Sequence, residues 1–233
     1  MGYRIVLGFL MVVSVRSYSL NRTNDSIPGK YRNGKFLVYA SSASLLGAAV
    51  AFRSGGDAAA VKIFNTGQRT HADDYLVFLP SLGLALKGSY SAGWDKVKYW
   101  AASHFVTLLA VEVLKPTVGR IRPDGAPYAF PSGHTAFAFT GASLLLAEYP
   151  HRPEWFVPGF LVATSVGVLR MVNNRHWASD VLAGAGIGML SVALVYRLPF
   201  LRRFSLKPSR KAQITGLPLI RHNTYGWAFS VNF

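Results

Sequence analysis

Apolar residues in this chain gather into six runs, at 36–52, 75–86, 99–114, 135–147, 155–169 and 181–198, separated by short polar, glycine- or proline-bearing segments. None of the runs alternates apolar with polar positions, so helices rather than strands are predicted there. A helix that crosses a bilayer needs about 20 mostly apolar residues, with about 17 at the low end. The first and last runs reach that length outright. The second is shorter and contains Pro80, and the others approach the limit once flanking small residues are counted. The runs are rich in Gly, Ala and Ser, a composition that lets helix backbones approach closely in lipid. Gly184 and Gly188, with Gly186 between them, read as a packing face. A dinucleotide-binding loop is a poor alternative, because no strand precedes these glycines and their spacing is wrong.

The chain ends differ from this pattern. Residues 1–20 carry Arg4, an apolar run from Ile5 to Val15 and then Ser17 to Ser19. That is the pattern of a secretory signal, or of a short amphipathic membrane-edge segment, since Arg16 interrupts it before any cleavage site. In the tail, Tyr225, Trp227, Phe229, Val231 and Phe233 alternate with polar or small residues, as a strand does. The chain has no room for the other strands of an outer-membrane barrel, so a terminal hairpin or ordered tail is expected. Three regions follow: a basic, apolar N-terminal segment (1–35), a helical domain (36–200) and a basic tail (201–233).

Composition changes the picture in two ways. Hydrophobic residues make up 51% of the 233 and charged ones only 15%, which favours a membrane protein with small-residue spans. The net charge of +15 calls for an anionic partner: nucleic acid, an acidic bilayer or a phosphorylated substrate. No nucleic-acid reading motif is present, so no nucleic-acid partner is expected. Cysteine is absent, which excludes disulfides, thiolate catalysis and Cys-ligated metals. No His, Asp and Glu residues stand at metal-ligand spacing, so neither a metal nor another cofactor is expected. Arg4, Arg16, Arg22, Lys30, Arg32 and Lys35 precede the first run, and Arg202, Arg203, Lys207, Arg210, Lys211 and Arg221 follow the last. Six spans with both basic ends in the cytoplasm place residues 115–134 and 170–180 together on the external side. A cleaved signal would conflict with that topology.

Those two segments hold the candidate chemistry. Lys115, Arg120 and Arg122 concentrate positive charge at the end of the third run, an arrangement that headgroup snorkelling also explains. Pro131-Ser132-Gly133-His134 opens the fourth run. Ser132 stands at an N-cap position, and the amides of Gly133 and His134 would face an anion, helped by the helix dipole. His176 and Asp180 are four apart, so on a helix they share a face, and the carboxylate would orient the imidazole for attack. An ordinary surface pair explains the same spacing. Arg170 adds a guanidinium suited to bidentate phosphate contact. Arg120 and Arg175 either steer a multiply charged headgroup or are plain surface charge. A helix-start preference for acids explains Asp73 and Asp74 better than a paired acid/base role does. Glu112 is placed to orient Lys115, and His104 and Glu112 should face the bundle interior, because charge is costly in lipid.

Taken together, the three blocks resemble the signature of the type 2 phosphatidic acid phosphatase (PAP2) superfamily: Lys-x6-Arg-Pro, then Pro-Ser-Gly-His, then Ser-Arg-x5-His-x3-Asp. Lys115, Arg122 and Pro123 match the first block, Pro131 to His134 the second, and Arg170, His176 and Asp180 the third. Leu169 stands where the family usually has Ser, which removes a hydroxyl but no charged or nucleophilic group. The resemblance covers roughly residues 73–198, including Asn173-Asn174-Arg175-His176-Trp177. It is greatest to small PAP2 proteins of Gram-negative envelopes, some of which act as lipid A 4'-phosphatases.

The resemblance implies an all-α, six-helix, mostly transmembrane bundle with a tail of strand character. It implies a metal-independent phosphatase working through a phosphohistidine intermediate. His176 would be the nucleophile, His134 the general acid and base, and Asp180 the residue that orients His176. Lys115, Arg122, Ser132, Gly133 and Arg170 would bind phosphate. The implied partners are a phosphorylated lipid and a membrane, in the bacterial inner membrane with the site facing the periplasm. Lipid A phosphate is the favoured substrate, with undecaprenyl pyrophosphate and phosphatidylglycerol phosphate compatible. The alternative is a soluble periplasmic non-specific acid phosphatase with the same site. A vanadate haloperoxidase fits poorly with so short and apolar a chain, and a non-enzymatic headgroup-binding protein would not need His176.

Overall fold

In a computed structural model, residues 31–53, 55–64, 70–82, 93–203, 213–221 and 224–232 are described. The helices are α1 (Tyr31–Arg53), α2 (Gly56–Phe64), α3 (Ala72–Leu76), α4 (Gly93–Val118), α5 (Gly133–Glu148), α6 (Pro153–Val172), α7 (Ala178–Val195) and α8 (Pro199–Arg203). They are followed by strands β1 (Gln213–Arg221) and β2 (Thr224–Asn232). The signal-like segment 1–20, residues 83–92, the basic residues 204–212 and Phe233 lie outside the described residues.

Five of the six apolar runs coincide with α1, α4, α5, α6 and α7. The run at 75–86 does not form one helix in its described part. The chain is helical to Leu76, turns at Val77–Phe78 and resumes a helical path at 79–82. Pro80, which lacks a backbone N–H, lies just after that break. Among the described residues, three helical stretches are long and apolar enough to cross a membrane: Lys96–Val118, Pro153–Val172 and Ala178–Val195. At 16 residues, α5 is shorter than a full span.

The bundle is organised around α7, whose glycines and alanines let neighbours approach its backbone. A Cβ added at Gly184 would lie 2.5 Å from the Ser132 carbonyl oxygen, and one at Gly188 would collide with the Ala136 carbonyl oxygen of α5. Gly186 faces the other way, onto Leu46 and the Ser42 carbonyl oxygen of α1. The glycine cluster is therefore a two-sided packing face. Leu45 and Ala49 of α1, Ala138 and Phe139 of α5, Val166 of α6 and Leu182 and Met189 of α7 fill the core. Two threonines in this interior are bonded: Thr107 Oγ1 lies 2.8 Å from Thr140 Oγ1, and Thr140 Oγ1 donates to the Ala136 carbonyl at 2.8 Å, whereas the buried Ser103 and Ser143 hydroxyls have no partner among the described residues. Large apolar side chains turn outward on α4, where Phe105 is 65% and Val113 56% exposed, as on a lipid-facing surface.

His104 faces inward as expected: Nε2 lies 3.1 Å from Ser81 Oγ, and Nδ1 donates to the Trp100 carbonyl at 2.9 Å. Glu112 does not. It is exposed and lies 3.0 Å from Lys115 Nζ, near enough to the helix end for its charge to leave the apolar region. At the tail, β1 and β2 pair antiparallel from Gln213↔Asn232 to Arg221↔Thr224, the expected terminal hairpin.

The first turns of α2, α3, α5 and α7 meet the last turns of α4 and α6 at one end of the bundle. Asp57 bonds Ser179, Asp73 bonds Arg170, and the Ser132 N–H donates to the Asp180 carbonyl at 3.0 Å. The opposite end is closed by Lys96 of α4, Glu148 of α5 and Tyr149 and Tyr196 just beyond α5 and α7. The segments 115–134 and 170–180 thus share one end.

Candidate active site

The helix α4 carries Lys115 in its last turn and stops at Gly119, whose φ of +58° suits a glycine. The chain then loops back through residues 120–132. Arg122 N–H donates to the Ala126 carbonyl at 2.8 Å and Ala129 N–H to the Arg120 carbonyl at 2.8 Å, so the loop holds itself in shape. It delivers Ser132 to the N-cap of α5. The Ser132 hydroxyl makes no cap bond and lies 2.9 Å from Thr135 Oγ1 instead. A Cβ placed on Gly133 would lie 4.0 Å from Lys115 Nζ, so the ammonium sits over the first turn of α5. The amides of that turn have no partner within the helix, by helix geometry.

The third block forms at the end of α6. Asn174 adopts φ +56°, a conformation asparagine tolerates, and the Arg175 N–H returns to the Arg170 carbonyl at 3.0 Å. His176 is thereby turned inward and is 2% exposed. Its Nδ1 lies 2.6 Å from the Ala129 carbonyl oxygen, which only accepts, so Nδ1 carries the proton and Nε2 keeps the lone pair. His176 and Asp180 do not share a helix face, contrary to the expectation from their spacing. His176 precedes α7, Trp177 is its N-cap, and Asp180 is a capping residue whose Oδ2 accepts from the Trp177 N–H at 2.9 Å. That cap holds Asp180 Oδ2 at 3.9 Å from His176 Nδ1, in charge contact but beyond a hydrogen bond.

Arg120 is neither surface charge nor a headgroup contact. Its part-buried guanidinium lies between Asp57 Oδ2 and Asp180 Oδ1, at 2.6 Å from each, and bonds Ser179 Oγ. Arg175 reaches Asp124 at 3.2 Å. Asp73 and Asp74 also do more than open a helix. Asp73 is buried and accepts from Arg170 Nη1 at 2.5 Å and Asn173 Nδ2 at 3.1 Å, while Asp74 Oδ1 lies 3.1 Å from His134 Nε2. Together with Thr70, His71, Arg170, Asn173 and Arg175, these groups line a cavity of about 190 Å³ that His134 also faces. Lys115, Arg122 and His176 do not line it.

Three side-chain atoms at this end are buried without a hydrogen-bond partner among the described residues: the acceptor Asn174 Oδ1 and the donors Arg122 Nε and Arg170 Nε, and the two donors suit an anion. Buried donors of that kind are costly unless an acceptor arrives. Burial lowers the Arg122 pKa, and the neighbouring Arg170 and Arg175 charges press the same way, so the cations lie close enough to feel one another. An anion would satisfy donors and relieve repulsion at once. Burial likewise lowers both histidines, and Arg170 adds to it; Asp73 and Asp74 oppose the shift at His134, and Asp180 and the Ala129 carbonyl oppose it at His176.

The contacts made by Asp57, Asp73, Asp74, Asn173 and the Ala129 carbonyl were not visible in the motifs. One signal was available: the chain has only 10 acidic residues, and Asp57, Asp73, Asp74, Asp124 and Asp180 all lie at this end.

The PAP2 superfamily model matches residues 125–204, which include the second and third blocks but not Lys115 or Arg122. Over 84 residues the chain is 54% identical to lipid A 1-phosphatase of Porphyromonas gingivalis, a match covering 35% of this chain and 19% of that protein. Over 98 residues it is 33% identical to phosphatidylglycerophosphatase B of Bacillus subtilis, covering 36% of this chain and 48% of that protein. The chain thus spans between a fifth and a half of these curated relatives. The crystal structure of Aquifex aeolicus LpxE aligns with a TM-score of 0.46 at 20% identity, over 59% of this chain and 93% of that one.

Proposed function

We propose that this chain, which carries a PAP2 superfamily domain at residues 125–204, is a membrane-embedded phosphatase that removes phosphate from a lipid through a phosphohistidine intermediate. The observation that carries this reading is the pair of buried, unpartnered donors Arg122 Nε and Arg170 Nε, beside two histidines whose surroundings differ. A substrate phosphoryl group is the anion of the right chemistry for such donors.

In the proposed sequence, Lys115, Arg122, Arg170 and the first amides of α5 neutralise the phosphoryl oxygens. His176 Nε2 attacks phosphorus, and the bond from phosphorus to the ester oxygen breaks as the N–P bond forms. The positive charge that develops on the imidazole is met by Asp180, which is 3.9 Å from Nδ1. His134 gives its proton to the departing lipid oxygen, a contribution of about 10²–10⁴-fold in rate. Water, deprotonated by His134, then cleaves the N–P bond and releases inorganic phosphate.

The lipid part of the proposal rests on the three apolar helices and on the outward-facing Phe105, Leu109 and Val113, which a soluble acid phosphatase would not need. Lipid A phosphate is the favoured substrate, in keeping with the relative named for its 1-phosphate. The proposed location is the bacterial inner membrane with the site toward the periplasm. Phosphate release from lipid A, undecaprenyl pyrophosphate and phosphatidylglycerol phosphate, with wild type and His176→Ala side by side in detergent, tests the reading. Release from lipid A by wild type alone is expected. Equal release by both proteins would discard the histidine mechanism, and release by neither would discard the phosphatase.

A further inference from the structure

Two adjacent aspartates opening α3 lie outside the three motif blocks, yet each holds a group from one of them. Asp73 is buried, with Oδ2 on Arg170 and Oδ1 on Asn173. Asp74 is half-exposed, with Oδ1 3.1 Å from His134 Nε2 and Oδ2 3.3 Å from His71 Nδ1. Stabilising a helix start does not account for these pairings. The helix has five residues, and both carboxylates direct their oxygens at side chains, three of which come from other elements.

We propose that Asp74 is the positioning residue for His134: it holds Nε2 and so leaves Nδ1 to give a proton to the ester oxygen and later take one from water. This rests on the phosphatase reading above. A carboxylate bound to one imidazole nitrogen sets the tautomer and ring plane, which leaves the other nitrogen as the working one. The proton balance is complete within the pair. The Nδ1 proton leaves with the lipid alcohol, the Nε2 proton stays on the Asp74 side, and Nδ1 is reprotonated by the attacking water.

The charges facing His134 are Asp73, Asp74 and Arg170, with Arg175 and His71 across the same cavity. Burial and Arg170 push the imidazole toward its neutral form, which cannot act as an acid, and the two carboxylates oppose them. Asp73 is placed otherwise: its oxygens lie on Arg170 and Asn173, and it is Asp74 Oδ1 that lies 3.1 Å from His134 Nε2. The Asp74 carboxyl is itself held low, first by its bond to His71 and also by His134, so it is ionised wherever His134 titrates.

The test uses the full chain in detergent micelles: wild type, Asp74→Asn and Asp74→Glu. The His134 ring-proton NMR titration is read, assigned by the signal lost in His134→Ala, together with the pH dependence of kcat and KM. Asp74→Asn should lower the His134 midpoint by about half a unit to one unit, since an opposite charge is removed from an exposed contact. The alkaline limb of kcat should move down by the same amount while KM stays within about twofold. Asp74→Glu should restore both. An unmoved titration and an unmoved limb, whether activity is unchanged or uniformly lowered, overturn the proposal. A wild type that releases phosphate, with Asp74→Asn unshifted, defeats this inference alone. A wild type that releases none defeats the phosphatase reading first.

Discussion

The His176 imidazole donates from Nδ1 to the Ala129 carbonyl at 2.6 Å, so a main-chain oxygen, not a carboxylate, determines which nitrogen of the ring holds the lone pair. In the proposed mechanism, the neutral ring with Nε2 unprotonated is the form that attacks phosphorus. A phosphoryl group on that nitrogen should be trapped as an acid-labile, base-stable phosphoprotein in rapid-quench experiments with radiolabelled lipid. His176→Ala should give no labelled protein and lose activity by about 10³-fold or more. His134→Ala should retain some labelling, because its proposed role lies in proton transfer. Label remaining in His176→Ala would move the nucleophile elsewhere.

The same burial sets a pH dependence. Burial lowers the His176 pKa beneath its ordinary value of about 6.5. As the proposed nucleophile it must be neutral, so the acid limb of kcat/KM should have its midpoint below pH 6.5. Asp180 pulls the pKa upward, and Asp180→Asn should shift that limb further toward acid. The sign for stability follows from linkage. The unfolded histidine takes up its proton near pH 6.5 and the folded one only at lower pH, so stability falls as pH drops from about 6.5 through the folded pKa. Thermal unfolding in detergent across pH 5 to 7 reads this directly.

In the proposed phosphatase, three cations, Lys115, Arg122 and Arg170, would supply the charge neutralisation that divalent metal supplies elsewhere. Phosphoryl transfer chiefly needs charge neutralisation and positioning, and side chains that are always charged supply both. Activity should therefore persist in excess EDTA, within about twofold of the untreated enzyme, and Arg170→Ala should cost far more than chelation does. Loss of activity in EDTA that a divalent ion restores would require a different scheme.

How much was legible from sequence depends on the range of the interactions. Lys115, Arg122, His134, Arg170 and His176 could be named as candidates because the motifs fix residue types at short spacing, and five apolar runs were legible because helices bury or expose whole runs. Asp57 was not: its partner Arg120 is 63 positions away, and a lone Asp after two glycines carries no local pattern. Asp74 and His134 are 60 apart for the same reason. The shared helix face assigned to His176 and Asp180 failed because spacing alone does not say where a helix begins, and α7 begins two residues after His176. The break at Val77–Phe78 was foreshadowed only by Pro80.

The approach of α7 to α5 carries a prediction about structure and activity together. Gly184 lies against the Ser132 carbonyl, and Ser132 N–H is itself bonded to the Asp180 carbonyl. A larger residue at 184 must push the first turn of α5, the proposed phosphate-binding turn, away from α7, since backbone atoms cannot rotate aside. Overpacking of this kind typically costs about 1–3 kcal/mol. Gly184→Val should lower the unfolding temperature in detergent and reduce kcat/KM. Gly47→Val, where no atom lies within 4 Å of an added Cβ, should leave both unchanged. Equal effects at the two positions would show that the close packing at 184 is immaterial.

The chain has no cysteine, which makes its orientation directly measurable. Pro127 lies in the exposed loop at the same end as His134 and His176, whereas His151 is exposed between α5 and α6 at the other end. The positive-inside distribution predicts that the loop faces the periplasm. In cells with a permeable outer membrane, Pro127→Cys should react with a membrane-impermeant maleimide, while His151→Cys should react only after the inner membrane is opened. The reverse pattern would place the proposed phosphatase site in the cytoplasm and exclude a periplasmic lipid phosphate as its substrate. Labelling of both positions in intact cells would mean that the bundle does not span the bilayer between them, and the soluble acid phosphatase would then become the better reading.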